Sequence, residues 1–388
     1  MKFVSKSIEN RIENLDFIRG VAILGILIMN SMIFALPESA NWNHSSSGID
    51  SYFDWILIFF AVIFIDGKMM GLFSVLFGAG LLLFVDSAKK KGYKRPVMLS
   101  LWRNLLLLSF GILHIIFMFV FIDILFLYAL LSPIILFLRN RSLYLLMVLF
   151  IIVISISTFS GIYFQGIFDS NGNLSEGAKD IFLDGKGLGP YWFSTQESFG
   201  GAIGSYTAIM YFTRVFSLML LGVILYRLNI LQGNLKIKTN NQILISSLLI
   251  GIPISMITPI WLSLENYNPG IAIVSYIPLY LGTYPMVIGY ICLLTLIYKK
   301  ISPKVSDLFK ACGRMAFTNY ITQSIFGALV FYFLFDSIEF TRKEIIIFVL
   351  VVWIIQIVWS KFWLDHYKQG PLEWFWRKLT YILSLIHI

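Results

Sequence analysis

A histidine and an aspartate interrupt one of the most apolar stretches of the chain, GILHIIFMFVFID, at residues 111–123. An imidazole paired with a carboxylate is suited to general-base catalysis, because the carboxylate orients the ring and raises its basicity. On one continuous helix His114 and Asp123 would lie on opposite faces, since nine residues turn a helix by about 900°. We therefore expect a tight turn near Phe121–Ile122, so that Asp123 caps the following helix and leans back over the histidine.

The same residues also have a structural interpretation, which the pattern alone leaves open. A lone histidine within a span often packs against a neighbouring carbonyl, and Asp123 would then be only a helix cap. Ionisable residues in a span cost about 2.5–3.5 kcal/mol on insertion scales, which favours a function. Arg214, inside MYFTRVFSLML, follows the same argument and needs an acidic partner, for which Asp123 and Glu197 are the candidates.

The first apolar segment, LDFIRGVAILGILIMN, carries a second set of polar residues. Asp16 and Arg19 are three residues apart and can pair at the inner membrane boundary. Arg19 and Asn30 are eleven residues apart, which is three helical turns, so they share a face at a separation of about 16 Å. Gly20 leaves room for a neighbouring helix to approach closely.

The segment LWRNLLLLSFGILHIIFMFVF repeats this arrangement, since Arg103 and His114 are also eleven residues apart. Each of the two helices therefore offers an arginine near the cytoplasmic boundary and a polar group in its outer half. If the helices pack together, we expect Arg19, Asn30, Arg103 and His114 to line one cavity.

Two later segments also carry candidate polar residues. Asn319 and Gln323, in GRMAFTNYITQS, share a helix face, where they either form interhelical hydrogen bonds or contact a ligand. In GPLEWFWRKLTY, Pro371 suits a first helical turn, and Glu373 and Arg377 can pair across one turn. That segment is typical of an interfacial anchor helix.

The composition places the whole chain in a membrane. Of its 388 residues 58% are hydrophobic and only 13% are charged, with a mean hydropathy of +0.81. We predict an all-α polytopic bundle that forms one integral membrane domain over 1–388. It divides into an N-terminal half at 11–163 with the candidate site, an extracytoplasmic loop at 164–203 and a C-terminal half at 204–381.

Ten spanning helices are expected from runs of about 20 apolar residues. They lie near 16–36, 67–87, 100–120, 123–138, 143–163, 204–226, 242–263, 271–298, 315–335 and 344–363. The apolar segment Tyr52–Asp66 is short, and a further span there would place KKKGYKR outside. We interpret it as an outer interfacial or re-entrant helix.

The charge distribution predicts the orientation. With the N-terminus inside, 24 of the 30 Lys and Arg residues fall on the cytoplasmic side, which puts both termini in the cytoplasm of a bacterial plasma membrane. This topology explains the net charge of +9 better than nucleic-acid binding does. The two cysteines and four histidines have no metal-ligand spacing, so we expect no metal and no bound cofactor.

Five ordered segments resemble the motifs of the YeiB-like bacterial membrane proteins, known as domain of unknown function 418. They are LDFIRGVAILGILIMN, GKMMGLFSVLFGAG, GILH with DILFLYALL, GRMAFTNYITQS and GPLEWFWRKLTY, and they span about residues 11–381. The resemblance implies structural roles for Asp16, Gly20, Gly78, Gly80 and Pro371. Ile122 stands where the family usually has glycine, which implies a less tight outer turn.

The N-terminal half of that family is similar to transmembrane acyltransferases, including heparan-alpha-glucosaminide N-acetyltransferase and the acyltransferase-3 proteins. This similarity implies transfer of an acyl group, acetyl in the simplest case, from cytoplasmic acyl-CoA as co-substrate to an envelope glycan, lipid or small molecule. It implies His114 as general base, which activates the acceptor or briefly carries the acyl group, and Asp123 as its orienting partner. The residues implied for the donor site are Arg19, Arg103, Asn319, Gln323, Glu373 and Arg377.

The sequence leaves three alternatives to this assignment open. His44 invites comparison with an outer-loop catalytic histidine of the N-acetyltransferase, but it ranks below His114. A transporter would use His114 to couple proton movement to transport. A non-catalytic scaffold would pack Arg103 and His114 in protein with no cavity, whereas the acyltransferase needs a tunnel from the cytoplasmic face to His114.

Overall fold

The chain folds into a bundle of helices. A computed structural model describes residues 12–118, 123–182, 188, 192, 201–335 and 338–387. The α-helices of at least twelve residues are α1 (Glu13–Ala35), α2 (Tyr52–Phe64), α3 (Lys68–Lys90), α4 (Pro96–Met118), α5 (Ile124–Leu138), α6 (Leu143–Gly166), α7 (Gly201–Arg227), α8 (Ile237–Leu264), α9 (Ile277–Lys300), α10 (Pro303–Arg314), α11 (Ala316–Gly327), α12 (Arg342–His366) and α13 (Pro371–His387).

The predicted all-α membrane architecture is confirmed. Among the described residues, nine helical segments are long and apolar enough to cross a bilayer, with α2 and α3 counted as one segment. Helix α5 is shorter and also apolar. These segments match the ten predicted spans in order and approximate position.

Three details differ from the predicted spans. The span predicted over 271–298 starts as two 3₁₀ turns, and its α-helix begins only at Ile277. Helix α11 ends at Gly327 and continues as a π-helix over Ala328–Leu334. The amphipathic helix α10 was not predicted, although Pro303 in its first turn is a recognisable start signal.

The chain breaks between α2 and α3 at a point inside the protein. Gly67 has φ of 69°, a left-handed conformation that favours glycine. The carbonyl oxygens at the end of α2 find side-chain donors, since Nζ of buried Lys68 donates to Val62 at 2.8 Å and the Tyr290 hydroxyl donates to Phe64 at 2.7 Å. These bonds satisfy backbone groups that lipid cannot satisfy. Whether α2 is interfacial or re-entrant stays a prediction.

Glycines set the closest helix crossings. A Cβ atom on Gly20 would lie 1.9 Å from the carbonyl oxygen of Phe309, and one on Gly313 would lie 1.9 Å from that of Asp16. Helices α1 and α10 therefore touch backbone to backbone, as the small-residue rule for membrane helices predicts. Gly20 has the structural role that the sequence suggested.

The two glycines of the GAG motif on α3 face different surroundings. A Cβ on Gly78 would lie 2.2 Å from the carbonyl oxygen of Met219 on α7, whereas Gly80 has nothing within 4 Å. Gly78 is thus a packing residue. Gly80 faces open space and makes no close crossing with the described residues.

This contrast predicts opposite effects of one substitution at neighbouring positions. Gly78→Ala should lower the free energy of unfolding by about 1–3 kcal/mol, because α3 and α7 must move apart. Gly80→Ala should leave it unchanged or raise it by up to about 1 kcal/mol, because alanine is the better helix former. Thermal unfolding of both variants in one detergent measures the difference, and equal midpoints would contradict the packing described here.

Candidate functional site

His114 and Asp123 form the predicted pair. Nδ1 of His114 lies 2.7 Å from Oδ2 of Asp123, and the two residues are 5% and 0% exposed. The other carboxylate oxygen accepts hydrogen bonds from the backbone N–H groups of Leu125 at 2.8 Å and Phe126 at 3.2 Å, so Asp123 caps α5. The prediction of a helix break that returns the aspartate to the histidine is confirmed. The predicted turn itself, Phe121–Ile122, lies outside the described residues.

A tyrosine completes the environment of the carboxylate. The Tyr320 hydroxyl on α11 donates to Oδ2 of Asp123 at 2.8 Å. Because the carboxylate of Asp123 can only accept hydrogen bonds, the ring nitrogen that faces it, Nδ1 of His114, must carry the imidazole proton. The other ring nitrogen, Nε2, then has a free lone pair. Among the described residues, this Nε2 has no hydrogen-bond partner. It is therefore available to take a proton from a bound molecule.

A cavity of about 510 Å³ begins at His114 and extends to the loop between α1 and α2. We call this side of the bundle the loop end. The volume suits a small molecule or a lipid or glycan headgroup. The walls are rich in aromatic and aliphatic side chains, and the polar side chains on them, apart from tyrosines and a tryptophan, are those of Asn30, Glu38, Asn41, His44, Asp66, His114, Arg214, Ser324 and Arg342.

Of the four residues predicted to line one cavity together, only two line this cavity. Asn30 and His114 line it, but Arg19 and Arg103 do not. Arg19 pairs with Asp16 at 3.0 Å, as its spacing predicts. The expectation of one cavity shared by both arginines and both outer residues is wrong, because the arginines lie at the opposite end of the bundle, which we call the basic end.

At the basic end, α13 covers Arg103. Its guanidinium lies between two aromatic rings, 4.6 Å from the centre of Phe84 and 4.1 Å from that of Trp376. The indole N–H of Trp376 also donates to the Arg103 carbonyl at 2.9 Å. Arg19 and Arg377 lie near enough to act on Arg103 electrostatically. The result is a group of three arginines, in which Arg103 and Arg377 lie over aromatic rings and Arg19 pairs with Asp16.

Aromatic rings separate the basic end from the cavity. Phe110 lies on the α4 face that carries both Arg103 and His114, and its ring centre is 5.2 Å from that of Phe317. Phe317 in turn lies 5.8 Å from Trp376. We call these three residues the aromatic layer; their rings form a chain of contacts that begins at Arg103, on which Trp376 stacks, and ends at Phe110 on α4.

Asn319 and Gln323 hold helices together. Both are fully buried, and neither lines the cavity. The amide of Asn319 donates to the Ser360 hydroxyl at 3.0 Å, and that of Gln323 donates to the Ile23 carbonyl at 3.0 Å and to the Gln356 side chain at 2.9 Å. These bonds join α11 to α1 and α12, which favours the interhelical interpretation over ligand contact.

Glu373 caps a helix instead of pairing with Arg377. Its carboxylate accepts bonds from the backbone N–H groups of Phe317 at 2.8 Å and Thr318 at 3.0 Å, at the start of α11. The Arg377 guanidinium lies over the ring of Tyr381. The predicted intrahelical pair is therefore replaced by a contact that fixes α13 against α11.

The sequence did not predict that Asp66, Arg214 and Arg342 line this cavity, although Arg214 was noted as an ionisable residue within a span. Asp66 closes the apolar segment before α3, and an ionisable residue at that position was a usable signal. Arg214 lies over the ring of Tyr280 at 4.1 Å, and its guanidinium Nε and Nη2 have no hydrogen-bond partner among the described residues. Glu197, one of its two predicted partners, lies outside the described residues. Arg342 opens α12 after a loop, and nothing in the sequence pattern places it here.

The loop between α1 and α2 supplies two titratable groups to the cavity. Burial and the nearby charge of Arg342 lower the pKa of His44 to about 3, so this histidine is neutral and a weak base. Burial raises the pKa of the Glu38 carboxyl to about 7. Among the described residues, His114 is the histidine of the cavity that a carboxylate orients.

Part of the segment 164–203 packs against this loop. Trp192 is buried, its indole N–H donates to the Tyr267 carbonyl at 2.7 Å, and its own carbonyl accepts from Asn43 at 3.1 Å. A role as a lid stays a prediction, since most of 183–200 lies outside the described residues.

Comparison with known proteins assigns the family. The model of a protein family of unknown function, DUF418, matches residues 225–383. The uncharacterized protein YxaH of Bacillus subtilis is 30% identical over 96% of this chain and 94% of its own length. The chain belongs to the YeiB-like DUF418 family.

Two further relatives agree with this assignment along nearly the whole chain. The uncharacterized protein YeiB of Escherichia coli is 29% identical, over 94% of this chain and 95% of its own length. An uncharacterized 39.9 kDa protein of Bacillus acidopullulyticus is 28% identical, over 97% and 95%. None of these names states an activity, so the function has to be argued from the site.

The Glu38 carboxyl predicts a pH dependence of stability. Its pKa is about 7 in the folded chain against an ordinary 4.5, so the folded state binds the proton more tightly. The free energy of unfolding should then fall as the pH rises from about 5 to 8, as the unfolded chain gives up a proton that the folded chain retains. The measurement is the unfolding midpoint of wild type minus that of Glu38→Gln across this range. A difference that does not decline with pH would contradict the burial of this carboxyl.

Proposed function

We propose that this protein is an acyltransferase of the bacterial cytoplasmic membrane. It moves an acyl group, acetyl in the simplest case, from cytoplasmic acyl-CoA to a hydroxyl or amine of an envelope glycan, lipid or small molecule. The observation that carries the proposal is the unpartnered Nε2 of His114, which is backed by Asp123 and Tyr320 at the end of a cavity of about 510 Å³. The proposed orientation places both termini in the cytoplasm and the loop end outside.

The dyad supplies the base for acyl transfer. Nε2 of His114 takes the proton of the acceptor hydroxyl or amine as its oxygen or nitrogen attacks the thioester carbonyl. The new carbon–oxygen or carbon–nitrogen bond forms, the carbon–sulfur bond breaks, and the imidazolium returns the proton to the departing thiolate. Asp123 stabilises the imidazolium in between, because its carboxylate already faces Nδ1. In a two-step variant, Nε2 itself briefly carries the acyl group.

The cluster of three arginines at the basic end is the proposed donor site. Arg19, Arg103 and Arg377 together suit the phosphates of acyl-CoA, which guanidinium groups bind in a bidentate manner. Eleven residues of α4 separate Arg103 from His114, or about 16 Å, a distance that an extended thioester arm can bridge. The aromatic layer lies on this path, so its rings must move apart for the thioester to reach the base.

A transporter is the second candidate, and one observation favours it. The cavity reaches His114 from the loop end, and neither the aromatic layer nor the arginines of the basic end line it, as expected for one state of an alternating-access protein. In that case the dyad would couple proton movement to transport. The scaffold hypothesis required His114 to be packed away from any cavity, and the cavity at His114 is against it.

Membranes that carry His114→Ala should lose the transfer of radiolabelled acetyl from acetyl-CoA to any acceptor. The expected loss is about 10²- to 10⁴-fold, the usual contribution of a general base. Asp123→Asn should also lower the rate, because it removes the carboxylate that orients Nδ1. The matched control is His366→Ala, since His366 is exposed at the end of α12 and bonds the Phe362 carbonyl.

The amount of inserted protein must be equal in all membranes for this comparison. Unchanged labelling in His114→Ala would end the acyltransferase proposal. Substrate movement that follows the proton gradient without any acyl donor would favour the transporter instead.

A further inference from the structure

The proposed reaction gives no role to Arg214, a charged residue of the cavity. Arg214 sits within the membrane-spanning helix α7, is 6% exposed and lines the cavity. Two of its guanidinium nitrogens, Nε and Nη2, have no hydrogen-bond partner among the described residues. A buried cation with unused donors is costly, so such a group is expected to have an acceptor when the protein works.

The surroundings of Arg214 fix the guanidinium in place. The ring of Tyr280 covers one side at 4.1 Å. On another side, Nη2 lies so near Gly67 that a Cβ atom there would be only 1.8 Å away. The left-handed break between α2 and α3 thus makes room for this one side chain. A planar cation held in this way is preorganised for a bidentate anion.

The charges around Arg214 do not neutralise it by direct contact. Asp66 lines the same cavity and interacts electrostatically with Lys68, Arg342 and Arg214, but no carboxylate of the described residues forms an ion pair with Arg214. Arg342 also has a partnerless Nε, and its Nη2 makes only long contacts of 3.4 and 3.5 Å to the Ala40 and Ser47 carbonyls. Two cations with spare donors therefore face one carboxylate across a space that is large enough for a ligand.

Another arginine of the same helix differs from Arg214, because its side-chain donors have hydrogen-bond partners. Arg227, at the other end of the same helix, donates through both Nη atoms to the carbonyls of Arg139 and Arg141. That residue ties α7 to the α5–α6 connection and is structural. Arg214 makes no comparable bond within the part of the chain that the structure describes.

We infer that Arg214, assisted by Arg342, binds the acidic group of the cavity's ligand. The ligand is a small acid, a carboxylate or a phosphate monoester or diester, that also carries a hydroxyl or amino group. Asp66 accepts a hydrogen bond from such a group, and His114 takes the proton of the one that reacts. This inference rests on the proposed function in naming the acceptor, which it makes an acidic hydroxyl or amino compound and not a neutral glycan.

The test is ligand-dependent thermal unfolding of the purified full-length protein in phosphate-free buffer. The probes are glycerol, glycerate and glycerol 3-phosphate, which share a hydroxylated carbon chain and differ in the acidic group. Wild type should show a saturable rise of at least ~2 °C in the midpoint with glycerate or glycerol 3-phosphate, and none with glycerol. Parallel samples in phosphatidylglycerol and phosphatidylcholine nanodiscs distinguish a lipid headgroup from a soluble acid as the source of the anion.

Arg214→Met should abolish the acid-dependent rise without lowering the midpoint of the ligand-free protein, because it removes an unpaired buried charge. Arg227→Met is the matched control, and it should lower the ligand-free midpoint yet keep the response to acids. The inference is overturned if no acid stabilises wild type in any of these samples, if glycerol acts as well as the acids, or if Arg214→Met responds like wild type.

A third variant separates this inference from the proposed reaction. His114→Ala should keep the acid-dependent rise, since Arg214 is intact. If that response persists while wild type transfers no acyl group, the acyltransferase proposal fails and the anion site stands. If acyl transfer is found but the acid response is absent, the anion site fails alone.

Discussion

One buried carboxylate organises the centre of this protein. Asp123 is fully buried in a chain that lies in a membrane, so every lone pair has to be satisfied by the protein itself. It accepts bonds from the first backbone N–H groups of α5, from His114 on α4 and from Tyr320 on α11. Three helices are thereby held in one arrangement. The same bonds determine which imidazole nitrogen faces the cavity.

Charged side chains form two groups at different levels along the bundle. At the basic end, arginines are stacked on aromatic rings and held by α13, whose Glu373 caps α11. In the cavity, Arg214 and Asp66 remain available to a ligand. The rings of the aromatic layer lie between the two levels. The proposed reaction, which joins a cytoplasmic donor to an outer acceptor, needs two binding regions and a path between them that opens for the donor.

The sequence predicted those features that depend on spacing along one chain segment. The apolar runs located the helices, and the nine-residue separation of His114 and Asp123 required a break that the structure contains. Features that depend on which helix packs on which face were not predictable. The spacing of Arg103 and His114 placed both on one face of α4, but it could not show that α13 covers one end of that face. Arg342 joined the cavity from a distant segment for the same reason.

The central claim is that His114 lies at the inner end of an outward-facing cavity. Labelling of His114→Cys in intact cells with a charged, membrane-impermeant thiol reagent tests it most directly, since the natural Cys292 and Cys312 are both buried. We expect the introduced thiol to react from the outside, while that of Lys90→Cys, exposed at the end of α3, reacts only from the cytoplasmic side. A thiol at position 114 that reacts only from the cytoplasm, or from neither side, would contradict this account.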